Sequence, residues 1–436
     1  MVSSRGGLTE LLAILSIVDL FGVLPIIVLP GQIAKCGWLG IPLAIFVFVV
    51  QVFTAILLGK CWVIAETIEP NIVHKNRYPY AAIAGLSFGR TFERIVHVMQ
   101  NIAVFGAIIP NLLIAADNLY TLGKKVYSEN LSFCICLIII GIILCPPIWL
   151  GSPKDLKWIS LISVFTVSLV SILTWILMIQ IPNNIYVPVP KLSWSAMIIA
   201  YSVLAFQFDV HPLILTIQMD MNDIKKVPFV VIGAFFFTCS LFLITVVIGY
   251  LKLGGLLNTN LLNMLPKSHA LNIVIILIIL QICLSTAVST TPLFQNIENY
   301  LHIPKEFTWK RCVLRTFIMI LAILIGEVVP RLDLVMSLVG SLLTGPLMFI
   351  LPPILYLKIQ MLYQSKTKHS KKMYYSTFPS IKLSTDIVSR HFISLALIVM
   401  IGILASGLST FMVIQNDQYS AKLMPSCFMK FIHYTF

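Results

Sequence analysis

Three ionisable side chains stand inside apolar runs where charge is expensive. Asp209 and His211 lie in Tyr201–Met221, YSVLAFQFDVHPLILTIQMDM, next to Pro212, and Asp19 lies in ILSIVDLFGVLPIIVLP ahead of Pro25. Proline removes a backbone donor and breaks a helix. At bilayer depth a break with ionisable neighbours is tolerated where it is buried in protein or lines a wet cavity. A carboxylate there can meet a cationic amine or a proton, and histidine titrates near neutral pH. Candidate substrate-binding residues are therefore Asp19, Gly22, Val23 and Leu24 at the first break, with Phe206, Phe208, Asp209 and Val210 at the second. Ser285 and Ser289 belong to a hydroxyl cluster with Thr286, Thr290 and Thr291 ahead of Pro292. Such oxygens suit a hard cation such as Na⁺, and equally suit close helix packing. Asp209, His211, Ser285 and Ser289 are the candidate ion-coupling residues. The competing reading is a pair of proline kinks whose Asp and His satisfy freed backbone groups.

No enzyme constellation accompanies these residues. The chain has no phosphate-cradling glycine loop, no His-x-x-Glu-His pair and no nucleophile beside paired carboxylates. The expectation is a non-enzyme without cofactor or metal, in which uphill movement is driven by an ion gradient.

The elements that position these residues are membrane helices. Of 436 residues, 58% are hydrophobic and 11% charged, and the mean hydropathy is +0.96. Apolar runs near the length that spans a bilayer recur throughout. Eleven spans are predicted, approximately Glu10–Pro30, Gly37–Leu58, Ile95–Ala116, Leu131–Leu150, Trp158–Gln180, Ser195–Met219, Pro228–Leu251, Leu271–Tyr300, Arg311–Val329, Asp333–Leu357 and His391–Ile414. The first run ends at Pro30-Gly31 without a small-x-small cleavage pattern and is expected to stay as a helix. Span ten carries Ser337, Gly340, Ser341, Thr344 and Gly345, a predicted packing seam, and span three carries Asn101, Gly106, Pro110 and Asn111.

The net charge of +13 reports topology rather than a nucleic-acid partner, because the basic residues fall in short loops. With the N-terminus inside, 21 of the 30 Lys and Arg lie on the inner side. The N-terminus is expected in the cytoplasm and the C-terminus outside or in a lumen. The basic stretch Lys366–Lys372 is expected in a solvated inner loop facing anionic lipid. The cysteines show no metal-ligand spacing, and Cys36 and Cys427 share the outer side and could pair. Asn130-Leu131-Ser132, an N-glycosylation sequon, also falls on the outer side.

Spans one and six both carry an acid and a break, and they lie five spans apart. Interrupted helices at corresponding positions of two halves are the pointer to an inverted-repeat transporter with its site between them. Particular motifs extend this. Leu29-Pro30 is followed by Gly37-Trp38, Gly59-Lys60-Cys61-Trp62-Val63, Pro79-Tyr80-Ala81-Ala82-Ile83 and Phe88-Gly89-Arg90. Phe105-Gly106, Ala115-Ala116-Asp117-Asn118-Leu119 and Gly151-Ser152-Pro153-Lys154-Asp155 come next, then His211-Pro212 with Thr216-Ile217-Gln218 and Asp220-Met221. In this order the motifs resemble the amino acid/auxin permease family, also called the amino acid transporter transmembrane family, of the LeuT-fold superfamily. The arrangement looks most like its animal proton-coupled and vesicular branches. Two departures stand out. Val23-Leu24-Pro25 replaces a glycine–small–glycine stretch, and Asp209-Val210 replaces two glycines. Bulkier residues at both breaks narrow the expected pocket, because glycine alone lets backbone and ligand approach without a Cβ.

The resemblance implies an all-α polytopic membrane protein with a LeuT-like 5+5 inverted repeat, one peripheral helix, and discontinuous helices 1 and 6. Residues 1–416 would form the amino acid transporter transmembrane domain and 417–436 a C-terminal tail. The function implied is secondary active transport of a small amino acid or amine by alternating access, coupled to protons or Na⁺ with protons favoured. A transport-inactive nutrient receptor that kept the fold is the alternative. The partners are then substrate, coupling ion and lipid bilayer, without nucleic acid. The plasma membrane is the favoured location, with a lysosomal or vesicular membrane as the other option.

Overall fold

The computed structural model describes residues 7–75, 78–126, 132–150, 156–182, 192–257, 260–304, 307–329, 331–373 and 385–418. They form helices α1 (Glu10–Phe21), α2 (Leu24–Ile27), α3 (Leu29–Lys35), α4 (Gly40–Ile68), α5 (Ile72–Lys75), α6 (Pro79–Phe88), α7 (Arg90–Val126), α8 (Phe133–Leu150) and α9 (Leu156–Ile179). The second part comprises α10 (Trp194–Gln207), α11 (His211–Asp220), α12 (Val227–Leu253), α13 (His269–Ser289), α14 (Thr291–Tyr300), α15 (Trp309–Val328), α16 (Leu332–Val339), α17 (Leu351–Met373) and α18 (Thr385–Gln418). Local chemistry sets the starts. Thr9, Ser193 and Ser268 accept backbone N–H bonds two or three residues into α1, α10 and α13. Pro25, Pro79 and Pro212 sit in first turns, where a missing N–H costs nothing.

Among the described residues, eight helical stretches are long and apolar enough to cross a membrane. They are Gly37–Ile68, Arg90–Lys124, Trp158–Ile179, Trp194–Asp220, Ile224–Leu256, His269–Tyr300, Leu332–Lys366 and Phe392–Gln415. The other three predicted spans are helical but of a different kind. The first is broken into α1, α2 and α3. The fourth is a shorter apolar helix. The ninth, α15, carries Arg311, Arg315 and Glu327. Arg311 and Arg315 are buried, and both reach Glu298 of α14, at 3.2 Å and 2.6 Å. The helix α6 occupies part of what reads as a loop after span two.

Packing follows the small residues. A Cβ on Gly340 would meet the Ser202 carbonyl oxygen of α10 at 2.0 Å, and one on Gly345 would meet Ser406 Oγ of α18 at 2.4 Å. The predicted seam of span ten is therefore a contact seam, and its backbone winds as π-helix over Gly340–Thr344 and Pro346–Ile350. Helix α18 turns Ile393, Met400, Leu404 and Phe411 outward, as a helix facing lipid does.

Two expectations are corrected. Lys366–Lys372 does not begin a loop, because α17 continues to Met373. Its backbone hydrogen bonds are retained there, and Lys366 Nζ donates to the Ile68 carbonyl. Cys36 is not in a disulfide: it is a free, buried thiol whose Sγ donates to the Gln32 carbonyl at 3.4 Å. Cys134 is disulfide-bonded instead. The Asn130 sequon, the Gly151–Asp155 motif and the tail beyond Gln418 lie outside the described residues.

Candidate functional site

The first break is a property of Gly22. α1 ends at Phe21, and Gly22 adopts φ 60°, ψ −153°, a conformation essentially restricted to glycine. The chain then restarts at Leu24-Pro25. The Val23 N–H is captured by Gln281 Oε1 of α13 at 3.3 Å, while Gln281 Nε2 donates to Ser163 Oγ of α9 at 3.2 Å. The second break lies between Gln207 and His211, where Phe208, Asp209 and Val210 interrupt the helix. Asp209 faces the backbone N–H of His211, at the positive end of α11.

The two breaks meet across one cavity of about 80 Å³. That is room for several waters or one small solute. Its walls come from the first break (Leu20 to Leu24), α7 (Ala103, Val104, Ala107, Asn111), the second break (Phe206, Gln207, Asp209, Pro212, Leu213) and α13 (Gln281, Ile282, Ser285, Ser289). Among the described residues, Asp209 is the only acidic side chain in the lining, and its Oδ1 has no hydrogen-bond partner.

The structure therefore brings together Gly22, Val23, Leu24, Phe206, Asp209, Ser285 and Ser289 of the residues singled out from sequence. It places four others elsewhere. Asp19 is fully buried behind the wall; its Oδ2 accepts from Ser160 Oγ at 3.0 Å and its carbonyl accepts from Ser285 Oγ at 2.7 Å. Phe208 turns away into a phenylalanine cluster, 5.5 Å from Phe21 and 4.1 Å from Phe48. Val210 is buried and outside the lining. His211 faces α4, with Nε2 3.1 Å from Thr54 Oγ1. Because the Thr54 hydroxyl donates to the Val50 and Gln51 carbonyls, it receives the His211 proton, and Nδ1 has no partner.

Sequence reasoning missed Gln207 and Gln281. Each is a lone amide in an apolar run, and neither periodicity nor a motif marks it. Asn111 was noted as a polar residue of span three; it lines the cavity and also donates to Thr286 Oγ1 at 3.1 Å. Beneath the cavity on the predicted inner side, the residues just before and at the start of α1 pair with those at and just after the end of α11. Leu8 N–H donates to the Asp220 carbonyl at 2.7 Å, and Asn222 N–H returns to Leu8 at 3.0 Å. Lys226 pairs with Glu10.

Comparison with known proteins agrees with this architecture. A family described as "Transmembrane amino acid transporter protein" matches residues 13–401. Amino acid transporter AVT1I of Arabidopsis thaliana is 25% identical over 354 residues, 77% of this chain and 82% of that protein. AVT1D of the same plant is 24% identical over 349 residues, 77% of this chain but 61% of that longer protein. Vacuolar amino acid transporter 3 of Schizosaccharomyces pombe is 32% identical over 162 residues, 36% of this chain and 25% of its own. Among solved structures, MhsT in complex with L-phenylalanine superposes with a TM-score of 0.56 at 14% identity, covering 92% of this chain and 98% of that one. A family of transporters rather than enzymes, an all-helical multi-pass body and a LeuT-like fold converge on one assignment. The chain belongs to the transmembrane amino acid transporter family.

Proposed function

We propose that this protein moves a small amino acid or amine across its membrane by alternating access, driven by protons, with the cavity between the two breaks as the transport site. The observation that carries the reading is the meeting of both interrupted helices around one cavity with Asp209 in its wall. Interrupted helices that face each other supply free backbone groups and dipole ends to a substrate at bilayer depth. Spans one to five and six to ten would then be the two repeats, with α18 peripheral. Asp209 is assigned to the substrate's cationic amine. It already occupies the positive end of α11, so that end does not await the substrate's carboxylate. The space of about 80 Å³ favours a small side chain.

The pairing of Leu8 with Asp220 and Asn222 seals the predicted inner side below the cavity. That supports an arrangement closed toward the cytoplasm. Outward release of this latch is the motion alternating access requires. Nothing in the site favours the receptor reading. Plasma-membrane residence is proposed with a cytoplasmic N-terminus; a tagged protein found in a vacuolar or lysosomal membrane would replace it.

The test is uptake of a radiolabelled amino-acid panel into vesicles containing the purified protein, with and without an imposed pH gradient. Saturable uptake of a small amino acid, increased by the gradient and with KM raised at least tenfold by Asp209→Asn, is expected. No flux for any member of the panel, with binding intact, would overturn transport and leave a receptor.

A further inference from the structure

The two intramembrane acids have different surroundings. Asp209 opens onto the cavity. Asp19 is fully buried and outside it. We propose that Asp19, seated between Ser160 and Ser163 of α9 and the Gln281–Ser285 face of α13, is the residue that binds the driving proton, at a site separate from the substrate. This rests on the transport reading above and names the residue that couples it.

Among the described residues, the Asp19 side chain meets only neutral groups. Ser160 Oγ donates to Oδ2 at 3.0 Å, and Ser163 is the second hydroxyl beside the carboxylate. Oδ1 is buried and has no hydrogen-bond partner among the described residues. From α13 it is met through its own carbonyl by Ser285, at 2.7 Å. Among the described residues of α9, α11, α12 and α13, no ionisable side chain hydrogen-bonds or pairs with it. A lone ionised carboxylate in such a place loses its hydration and gains no counter-charge. A proton needs no cavity to enter, whereas Na⁺ needs a shell of oxygens free to turn lone pairs toward it. Here the Ser160 and Ser285 hydrogens already point at Asp19.

The proton comes from the aqueous phase on one side, adds to a carboxylate oxygen, and leaves to the aqueous phase on the other. Protonated, Asp19 is compatible with the packed arrangement of α1 on α9 and α13. Ionised, it favours an arrangement in which α1 has moved and water reaches it. Two residues connect this site to the substrate. Ser285 lines the cavity and donates to the Asp19 carbonyl, and Gln281 lines the cavity and donates to Ser163. A proton at Asp19 and a substrate in the cavity therefore act on the same break.

The experiment uses full-length protein in vesicles with radiolabelled L-alanine, comparing pH-gradient-driven accumulation with L-alanine counterflow, which needs no net proton movement. Asp19→Asn, an uncharged mimic of the protonated acid, is expected to lose gradient-driven accumulation tenfold or more. Counterflow should stay within about threefold of the unaltered protein. Ser160→Ala removes a donor to the ionised form, so the pH profile of uptake should move to higher pH. A second readout needs no substrate: the melting midpoint of the purified protein should fall as pH rises from 5 to 8, and this fall should shrink in Asp19→Asn. Accumulation by Asp19→Asn equal to the unaltered protein overturns the proposal, as does an unaltered melting profile or accumulation that follows Na⁺ instead of pH. Gradient-driven uptake lost in Asp209→Asn with Asp19→Asn unaffected would also overturn it. Absence of flux in the unaltered protein for L-alanine and for every other member of the amino-acid panel, with the pH-dependent melting of Asp19 intact, would overturn the transport reading alone.

Discussion

Gly22→Ala separates two contributions that the first break combines. At φ 60°, ψ −153° an alanine is strained whatever its surroundings, by about 1–3 kcal/mol. Its Cβ would also stand 2.9 Å from Gln281 Nε2, closer than such atoms approach. Gln281 must move, and it is the acceptor for the Val23 N–H at 3.3 Å. A buried donor left without a partner costs about 1–3 kcal/mol more. Gly89→Ala gives the control. Gly89 has φ 91°, and nothing lies within 4 Å of its Cβ position, so only the backbone strain applies. The assay is thermal unfolding in detergent followed by size-exclusion chromatography, using midpoints relative to the unaltered protein. Gly22→Ala should destabilise about twice as much as Gly89→Ala. Introducing Gly22→Ala into a Gln281→Ala background should cost only the strain, because the Val23 N–H is already unpartnered there. A double-mutant coupling of about 1–3 kcal/mol is expected. Equal costs of Gly22→Ala in both backgrounds would refute the role assigned to Gln281.

Glu298→Gln leaves Arg311 and Arg315 buried without their carboxylate and should cost about 3–5 kcal/mol, read as a lowered melting midpoint; an unchanged midpoint would remove the triad from the stability of α14 and α15. Thr54→Val removes the acceptor for His211 and should cost about 1–3 kcal/mol. Its substrate KM should stay the same, because neither residue lines the cavity, and a changed KM with an unchanged midpoint would contradict the placement of His211. Burial pushes the Cys36 thiol up to about 11, so maleimide labelling at pH 7.5 should be slow in the folded protein and fast after denaturation, with rapid native labelling as the contrary result.

The breaks themselves were legible because proline and an acid inside an apolar run each violate a rule, and they do so together twice. The side chains within the second break were not. Phe208, Asp209 and Val210 follow no helical period, so sequence cannot say which of them faces inward; only Asp209 does. His211 shows the same difficulty from the other side: the motif marks it, yet the first turn of α11 directs it to Thr54. From sequence, Arg311 and Arg315 open the predicted span nine and count only among the inner-side basic residues. They lie four residues apart on one face of α15, and a partner on the preceding helix, Glu298, draws that face inward. The amides were invisible for a different reason. Gln281 acts by holding the Val23 N–H of the first break and the Ser163 hydroxyl in register, and a single amide in LIILQICLST carries no pattern of its own.

Coupling of the Asp19 site to the cavity has a consequence that holds in both directions. If a proton at Asp19 raises substrate affinity by some factor, substrate must raise proton affinity by the same factor. The link runs through Ser285 and Gln281, which touch both sites. A coupling of about 1–3 kcal/mol, the usual size for such linkage, corresponds to about 5–150-fold. L-alanine affinity, measured on the purified protein by equilibrium binding, should therefore fall by a factor in that range between acid and alkaline pH. In Asp19→Asn the affinity should be flat across the same pH range and stay at its acid value, since asparagine imitates the protonated acid. In Ser285→Ala both sites remain but one contact between them is lost, so the pH dependence should shrink while the acid-side affinity changes little. A full pH dependence surviving in Asp19→Asn would place the linked proton on Asp209 instead, and the two acids would then share one site rather than divide the work.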